Sequence, residues 1–259
     1  MNLDDLKNAG DDPDLIPGIY NYCDRWCERC YLSSRCLVFK MEIQENQSSD
    51  SRDKSNQEFW KTLSDMFSLT REMINEMAEE EGIDVEDTNE QIEPDSDDVQ
   101  DHPVSRAADL YFESSHQWLH NNSEMFSEVL SEYEKLITLN INRQDSTDSI
   151  LIIKDLIDII SWYHTMIPVK SKRAVMSSMD GFWGEHEIQN DMNGTAKVVI
   201  KCIERSTFAW NGILTQFPDQ EEEAIKNLRN LEFLKTSITE YFPNAQKFIR
   251  PGFDENQNQ

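Results

Sequence analysis

The sequence predicts an all-α protein, a helical bundle of about five helices with an N-terminal four-cysteine metal loop. Three observations predict it. Apolar residues recur at helical intervals in five stretches separated by polar linkers. No run alternates convincingly as a strand, and only 8 Gly and 8 Pro in 259 residues argue against an all-β chain of many tight turns. Four of the 5 cysteines are gathered in the turn-rich stretch Tyr20 to Met41, reading YNYCDRWCERCYLSSRCLVFKM. The domain organisation expected is an acidic arm and cysteine loop over 1–42 and a linker over 43–56. The bundle follows over 57–250, with an acidic insertion at 79–104, and a disordered tail over 251–259 ends the sequence.

The arm, Met1 to Gly18, is broken before the cysteine loop by Pro13, Pro17 and Gly18. The loop has the spacing Cys23-x3-Cys27-x2-Cys30-x5-Cys36. So small a segment points four sulfurs at one centre more easily than it closes two unstrained disulfides. Met1 to Asp14 is polar and acidic rather than an apolar secretory leader, so a reducing compartment, the cytoplasm, is expected. Tetrahedral thiolate sites suit zinc or an iron-sulfur cluster. Only Cys27 and Cys30 have zinc-knuckle spacing, whereas one loop with unequal gaps can span the larger cage of a cubane. The expected cofactor is a [4Fe-4S] cluster, with Zn the alternative. Arg25, Arg29 and Arg35 interleave the ligands and can offset thiolate charge in either case.

The part Cys27-x2-Cys30-x5-Cys36 resembles the iron-sulfur loop of endonuclease III-like DNA glycosylases and the cysteine run of radical-enzyme auxiliary-cluster domains. Cys23-x3-Cys27-x2-Cys30 shares the cluster spacing of radical S-adenosylmethionine enzymes, without the repeated strand and helix units of their barrel. The wider phrase GIYNYCDRWCERC resembles the opening of an uncharacterised group of bacterial proteins. That resemblance implies a bacterial origin and no activity.

After the loop, Gln44 to Asn56 has the composition of an exposed linker. Ser55 and Glu58 have capping-box spacing, and Phe59, Leu63, Met66, Phe67, Ile74 and Met77 then predict a helix from about Gln57 to Glu80. From Glu79 to Asp101 there are 12 carboxylates and no Lys or Arg, which reads as a solvated insertion. The stretch Ser105 to Leu139 is one long helix or two meeting near Asn121 and Asn122, with Phe112, Trp118, Leu119, Phe126, Leu130, Tyr133, Leu136 and Ile137 as its apolar face. The central helix runs from Ser149 to about Met166, and Pro168 bends or ends it. Ser177 to Gly194, with Phe182, Trp183 and His186, reads as a compact loop. The next helix, Thr195 to Phe217, buries Val199, Ile200, Ile203, Thr207 and Trp210 with Cys202 in the core, while Lys197, Lys201 and Arg205 make its other side basic. Asp219 and Glu222 repeat the capping-box spacing and open a final helix to Tyr241, with Leu228, Leu231, Leu234 and Ile238 as its core stripe.

A formal charge of −26 weighs against nucleic-acid and anionic-membrane surfaces, and no apolar stretch makes good transmembrane material. A protein partner is compatible with the acidic surface. Two further sites merit inspection. Asp109, Glu113, His116 and His120 share one helix face, and Glu113-x2-His116 has the spacing of ferritin-like di-metal bundles. Glu113, His116, Asp158 and Glu204 are therefore a candidate second metal site, although the second Glu-x2-His element of that pattern is missing. Lys170, Lys172 and Arg173 either cap the central helix or bind an anion. No Walker loop, dinucleotide fingerprint, nucleophile elbow or zinc-protease helix is present, so the catalytic residues stay unknown. The function expected is a metal-cluster protein whose loop is a structural, electron-transfer or sensing element. The alternatives are a ferritin-like di-metal oxidoreductase and a zinc-stapled protein-interaction adaptor.

Overall fold

The computed structural model describes residues 12–46, 96–141, 143–179 and 186–255, with Ser64, Ser68, Arg71 and Asn75 as isolated positions. Among these residues every regular element is helical. The α-helices are α1 (Leu37–Asn46), α2 (Ser96–Asp101), α3 (Pro103–Asn121), α4 (Ser123–Thr138), α5 (Arg143–Met179), α6 (Asp191–Gln216) and α7 (Glu221–Tyr241). The chain divides into two units, one of Met1–Glu93 with Arg250–Gln259 and one of Pro94–Ile249.

The larger unit is an all-α bundle in which α3 and α6 each pack on both α5 and α7, closing a ring of four helices, while α4 lies along α5. Its core is drawn from all four ring helices: Tyr111 and Trp118 from α3, Ile160, Tyr163 and Ile167 from α5, Ile200, Ile203, Trp210 and Ile213 from α6, and Leu231, Leu234 and Ile238 from α7. Each such side chain contributes about 1.5–3 kcal/mol by leaving water. At the centre the Tyr111 hydroxyl is bonded twice: it donates to Ser206 Oγ at 3.1 Å and accepts from Trp210 Nε1 at 3.2 Å. Burial pushes the Tyr111 phenol up to about 12, so it stays protonated and keeps its donor.

Helix ends follow local chemistry in part. Pro103 stands in the first turn of α3, where a missing N–H costs nothing, and His102 Nδ1 accepts from the Val104 N–H at 3.2 Å. Asn122 separates α3 from α4, its side chain donating to the Trp118 carbonyl at 2.8 Å, so the two-helix form of the Ser105 to Leu139 expectation holds. Asn190 caps α6 through a 3.0 Å bond from the Asn193 N–H, which starts that helix earlier than its apolar stripe.

Other expectations need correction. Helix α1 continues through 43–46, into the stretch expected to be linker. The acidic insertion ends sooner than 104, because α2 buries Val99 and α3 buries Val104. Pro168 does not end α5, which runs on to Met179; packing on α3 and α6 outweighs the hydrogen bond lost at the proline. Lys170, Lys172 and Arg173 therefore lie within a helix and cap nothing. The capping box at Asp219 and Glu222 does not form. A short 3-10 turn occupies Pro218–Gln220, and Gln220 stands at the helix start without a side-chain cap, its Oε1 accepting from Trp118 Nε1 at 2.9 Å. Lys197 is buried rather than on a basic face and donates to the Phe248 carbonyl. Residues 251–255, expected as disordered tail, form an ordered turn. Of the helix expected over 57–80, Ser64, Ser68, Arg71 and Asn75 are helical and exposed; its apolar positions, most of the acidic run and Phe182 and Trp183 lie outside the described residues. No helix of the described residues is long and apolar enough to cross a membrane.

Candidate metal centre

The smaller unit is built on three tight 3-10 turns, Ile19–Tyr22, Cys27–Arg29 and Ser33–Arg35. Cys23, Cys30 and Cys36 each stand directly after one of these turns in extended backbone, while Cys27 opens the middle one. The repetition explains why so irregular a spacing serves one site: each turn reverses the chain and presents the next thiol. Gly18 (φ 70) starts the series in the left-handed region, and Arg25 (φ 59) makes the corner between Cys23 and Cys27. The turns are held by i to i+3 bonds, from the Cys30 N–H to the Cys27 carbonyl at 3.1 Å and from the Cys36 N–H to the Ser33 carbonyl at 3.1 Å. The Cys36 carbonyl then accepts from the Lys40 N–H at 3.1 Å, which joins the loop to α1 without a linker.

All four cysteines are partly buried thiols, not disulfides, and all four line a single cavity of about 20 Å³. Its remaining wall is largely aromatic and aliphatic, from Ile19, Trp26, Phe39 and Phe253. Of the three interleaved arginines only Arg25 lines the cavity. The Arg29 guanidinium lies 3.9 Å over the Trp26 ring, and Arg35 Nε donates to the Asp14 carbonyl at 3.0 Å. One soft donor set in a small, largely apolar enclosure is the chemistry that zinc or an iron-sulfur centre uses, so the residues fit either group. Among the described residues, however, no three His, Cys, Asp or Glu side chains already converge on an ion-sized point, the loop thiols included.

Phe253 is the wall residue that sequence reasoning missed, since it lies in the stretch expected to be tail. The turn that carries it has bonds of its own. Arg250 bonds the Asp254 carboxylate through Nε at 3.1 Å and through its terminal nitrogen at 2.9 Å, and the Asp254 and Phe253 N–H groups both bond the Arg250 carbonyl. The guanidinium also stands 4.9 Å over the Phe253 ring, and Tyr31 meets that ring edge-on at 6.1 Å.

The bundle places its candidate residues differently. Glu113, His116 and His120 are exposed on α3, Asp158 is partly exposed on α5, and Glu204 on α6 pairs with Lys201 at 2.9 Å. Asp109 pairs with Lys172 across α3 and α5 at 2.9 Å. Arg173 bonds Asp191 at 2.8 and 3.3 Å, and Ser177 donates to the same carboxylate at 2.7 Å, while Lys170 is buried. The charges of Lys172 and Arg173 are thus already matched by carboxylates of the bundle.

What the structure does bring together is His116 with His164, ring centroids 5.7 Å apart and nearly parallel, both stacked on Phe112. His164 Nδ1 lies 2.7 Å from the Ser161 carbonyl, which can only accept, so that nitrogen carries the proton. Burial first, then the charge of His116, pulls the His164 pKa below its ordinary value, against the opposing bond to Ser161. Compared with protein-family models, curated proteins and solved structures, the chain matches none.

Proposed function

We propose that this chain is a cytoplasmic bacterial metal-cluster protein in which Cys23, Cys27, Cys30 and Cys36 hold a [4Fe-4S] cluster. The observation that carries the reading is the four thiols around one cavity, presented by three successive turns. Bound there, a cluster supplies a structural staple, one-electron transfer or sensitivity to oxidants. The chain's own contribution is to shield it: Trp26, Phe39 and Phe253 exclude water, while Arg25 and Asp24 bring one charge of each sign to the wall. The acidic surface leaves a protein as the expected partner and disfavours nucleic acid.

A second reading, a zinc-stapled adaptor acting only through contact, is favoured by the size of the cavity, since about 20 Å³ suits a single small group. Metal and sulfide analysis of anaerobically purified protein, with its visible spectrum, separates the two. The cluster reading expects about four iron and four sulfide per chain and a broad visible band. The adaptor reading expects about one zinc and a colourless protein. Protein that holds neither and titrates four reactive loop thiols would overturn both.

A further inference from the structure

We propose that the outer face of α5 is the contact surface for a second copy of this chain, laid antiparallel against it in a two-fold dimer. Four apolar side chains carry the face. Leu151, Val169, Met176 and Met179 are between 38% and 64% exposed, although α3, α4 and α6 all pack on α5. Their spacing is ordered. Leu151 and Met179 stand four heptads apart with exposed Thr165 midway, and Val169 and Met176 stand one heptad apart, so the five share one slowly drifting stripe. Apolar side chains left together on the surface of a folded bundle mark an interaction site.

The charges say which partner. One heptad inside each end of the stripe stand Asp158 and Lys172, so its order reads apolar, acid, Thr165, base, apolar. Reversed, that order is its own complement. In an antiparallel pair centred near Thr165, Leu151 of one copy meets the Met176 and Met179 end of the other, and Asp158 meets Lys172, twice by symmetry. Lys172 already donates to Asp109 at 2.9 Å, but an ammonium has three donors and this side chain is 29% exposed. A parallel pair would instead set Asp158 against Asp158 and Lys172 against Lys172, a like-charge arrangement that opposes association.

The test weighs the full chain by sedimentation equilibrium under reductant, so that no intermolecular disulfide contributes, in about 0.15 M salt to screen the net charge. The expected mass is twice that of the chain at concentrations on the order of 100 µM, and a wild-type chain that stays monomeric there overturns the proposal. Val169→Glu and Met176→Glu should each weaken the dimer by about tenfold or more. Phe208→Glu, at an exposed position of α6, should leave it unchanged. Helix content by circular dichroism should be wild-type in all three, since each position is exposed. A dimer that survives both α5 variants, or that is lost in Phe208→Glu, would lie on another face and overturn the proposal. Asp158→Asn reads the direction: an antiparallel pair loses an attraction to Lys172 and weakens. A parallel pair is relieved of a repulsion and tightens, and that result would overturn the antiparallel order.

Discussion

Replacing Gly252 by Ala tests the seating of the C-terminal turn with a built-in control at Gly18. Both glycines have positive φ, 73° and 70°, so an L side chain at either costs about 1–2 kcal/mol in backbone conformation. Both substitutions also stiffen the unfolded chain equally, a stabilising effect of about 0.4–1 kcal/mol that cancels between them. The surroundings differ. A Cβ at Gly18 meets only Asn21 Nδ2 at 3.9 Å, an ordinary contact. At Gly252 it meets Ile16 Cδ1 at 2.7 Å and two further methyls at 3.3 Å, one of them on Ile19, which is 2% exposed and has no room to retreat. Overpacking of this kind costs about 1–3 kcal/mol more. The smaller unit should therefore be destabilised by about 1–3 kcal/mol more in Gly252→Ala than in Gly18→Ala. Denaturant titration read by loop-thiol reactivity measures the difference. Equal midpoints for the two variants would refute the packing argument.

If the loop holds a metal through all four thiols, Cys30→Ser should lose it and lower the unfolding midpoint of the N-terminal region, because one missing thiolate opens the coordination shell; full metal retention, measured by elemental analysis, would exclude a four-ligand site. In the bundle, Gly212 lets α6 approach Leu156 of α5 so closely that a Cβ would overlap both of its terminal methyls. Gly212→Ala should cost about 1–3 kcal/mol in packing, less the roughly 1 kcal/mol that Ala gains over Gly in a helix, and thermal melts should show the loss vanishing in a Leu156→Ala background. His164 has a folded pKa below its unfolded value of 6.5, so below that pH the unfolded chain takes up a proton that the folded chain resists. Bundle stability should accordingly be full above about pH 6.5 and fall as pH drops toward the lowered pKa, and His164→Phe should flatten that part of a stability–pH curve.

Periodicity made the bundle legible. Leu231, Leu234 and Ile238 repeat at helical intervals and are fully buried, and Cys202 lies in the core as its apolar neighbours imply. The register of α3 was harder to see. Phe112 looks like its core residue, yet Tyr111 is the buried one, because a phenol is chosen for the centre only when Ser206 and Trp210, more than ninety positions away, complete its bonds. Of the two outcomes expected at Pro168, a bend or an end, the end does not occur: packing along α5 continues the helix. The cysteine spacing announced one multi-thiol site but said nothing of its fourth wall, because the Arg250–Asp254 turn has no period and owes its order to side chains near the other end of the sequence.

Tyr31 and Phe253 touch although more than two hundred positions separate them, and this bears on biogenesis. Translation at about 5–20 residues per second leaves an interval on the order of 10 to 40 s between the appearance of the cysteines and that of the ring that closes their cavity. Throughout that interval the nascent loop lacks the Phe253 face of its cavity. Once Phe253 arrives and seats, the cavity gains that face, so the loop thiols of the nascent chain and those of the finished protein stand in different surroundings.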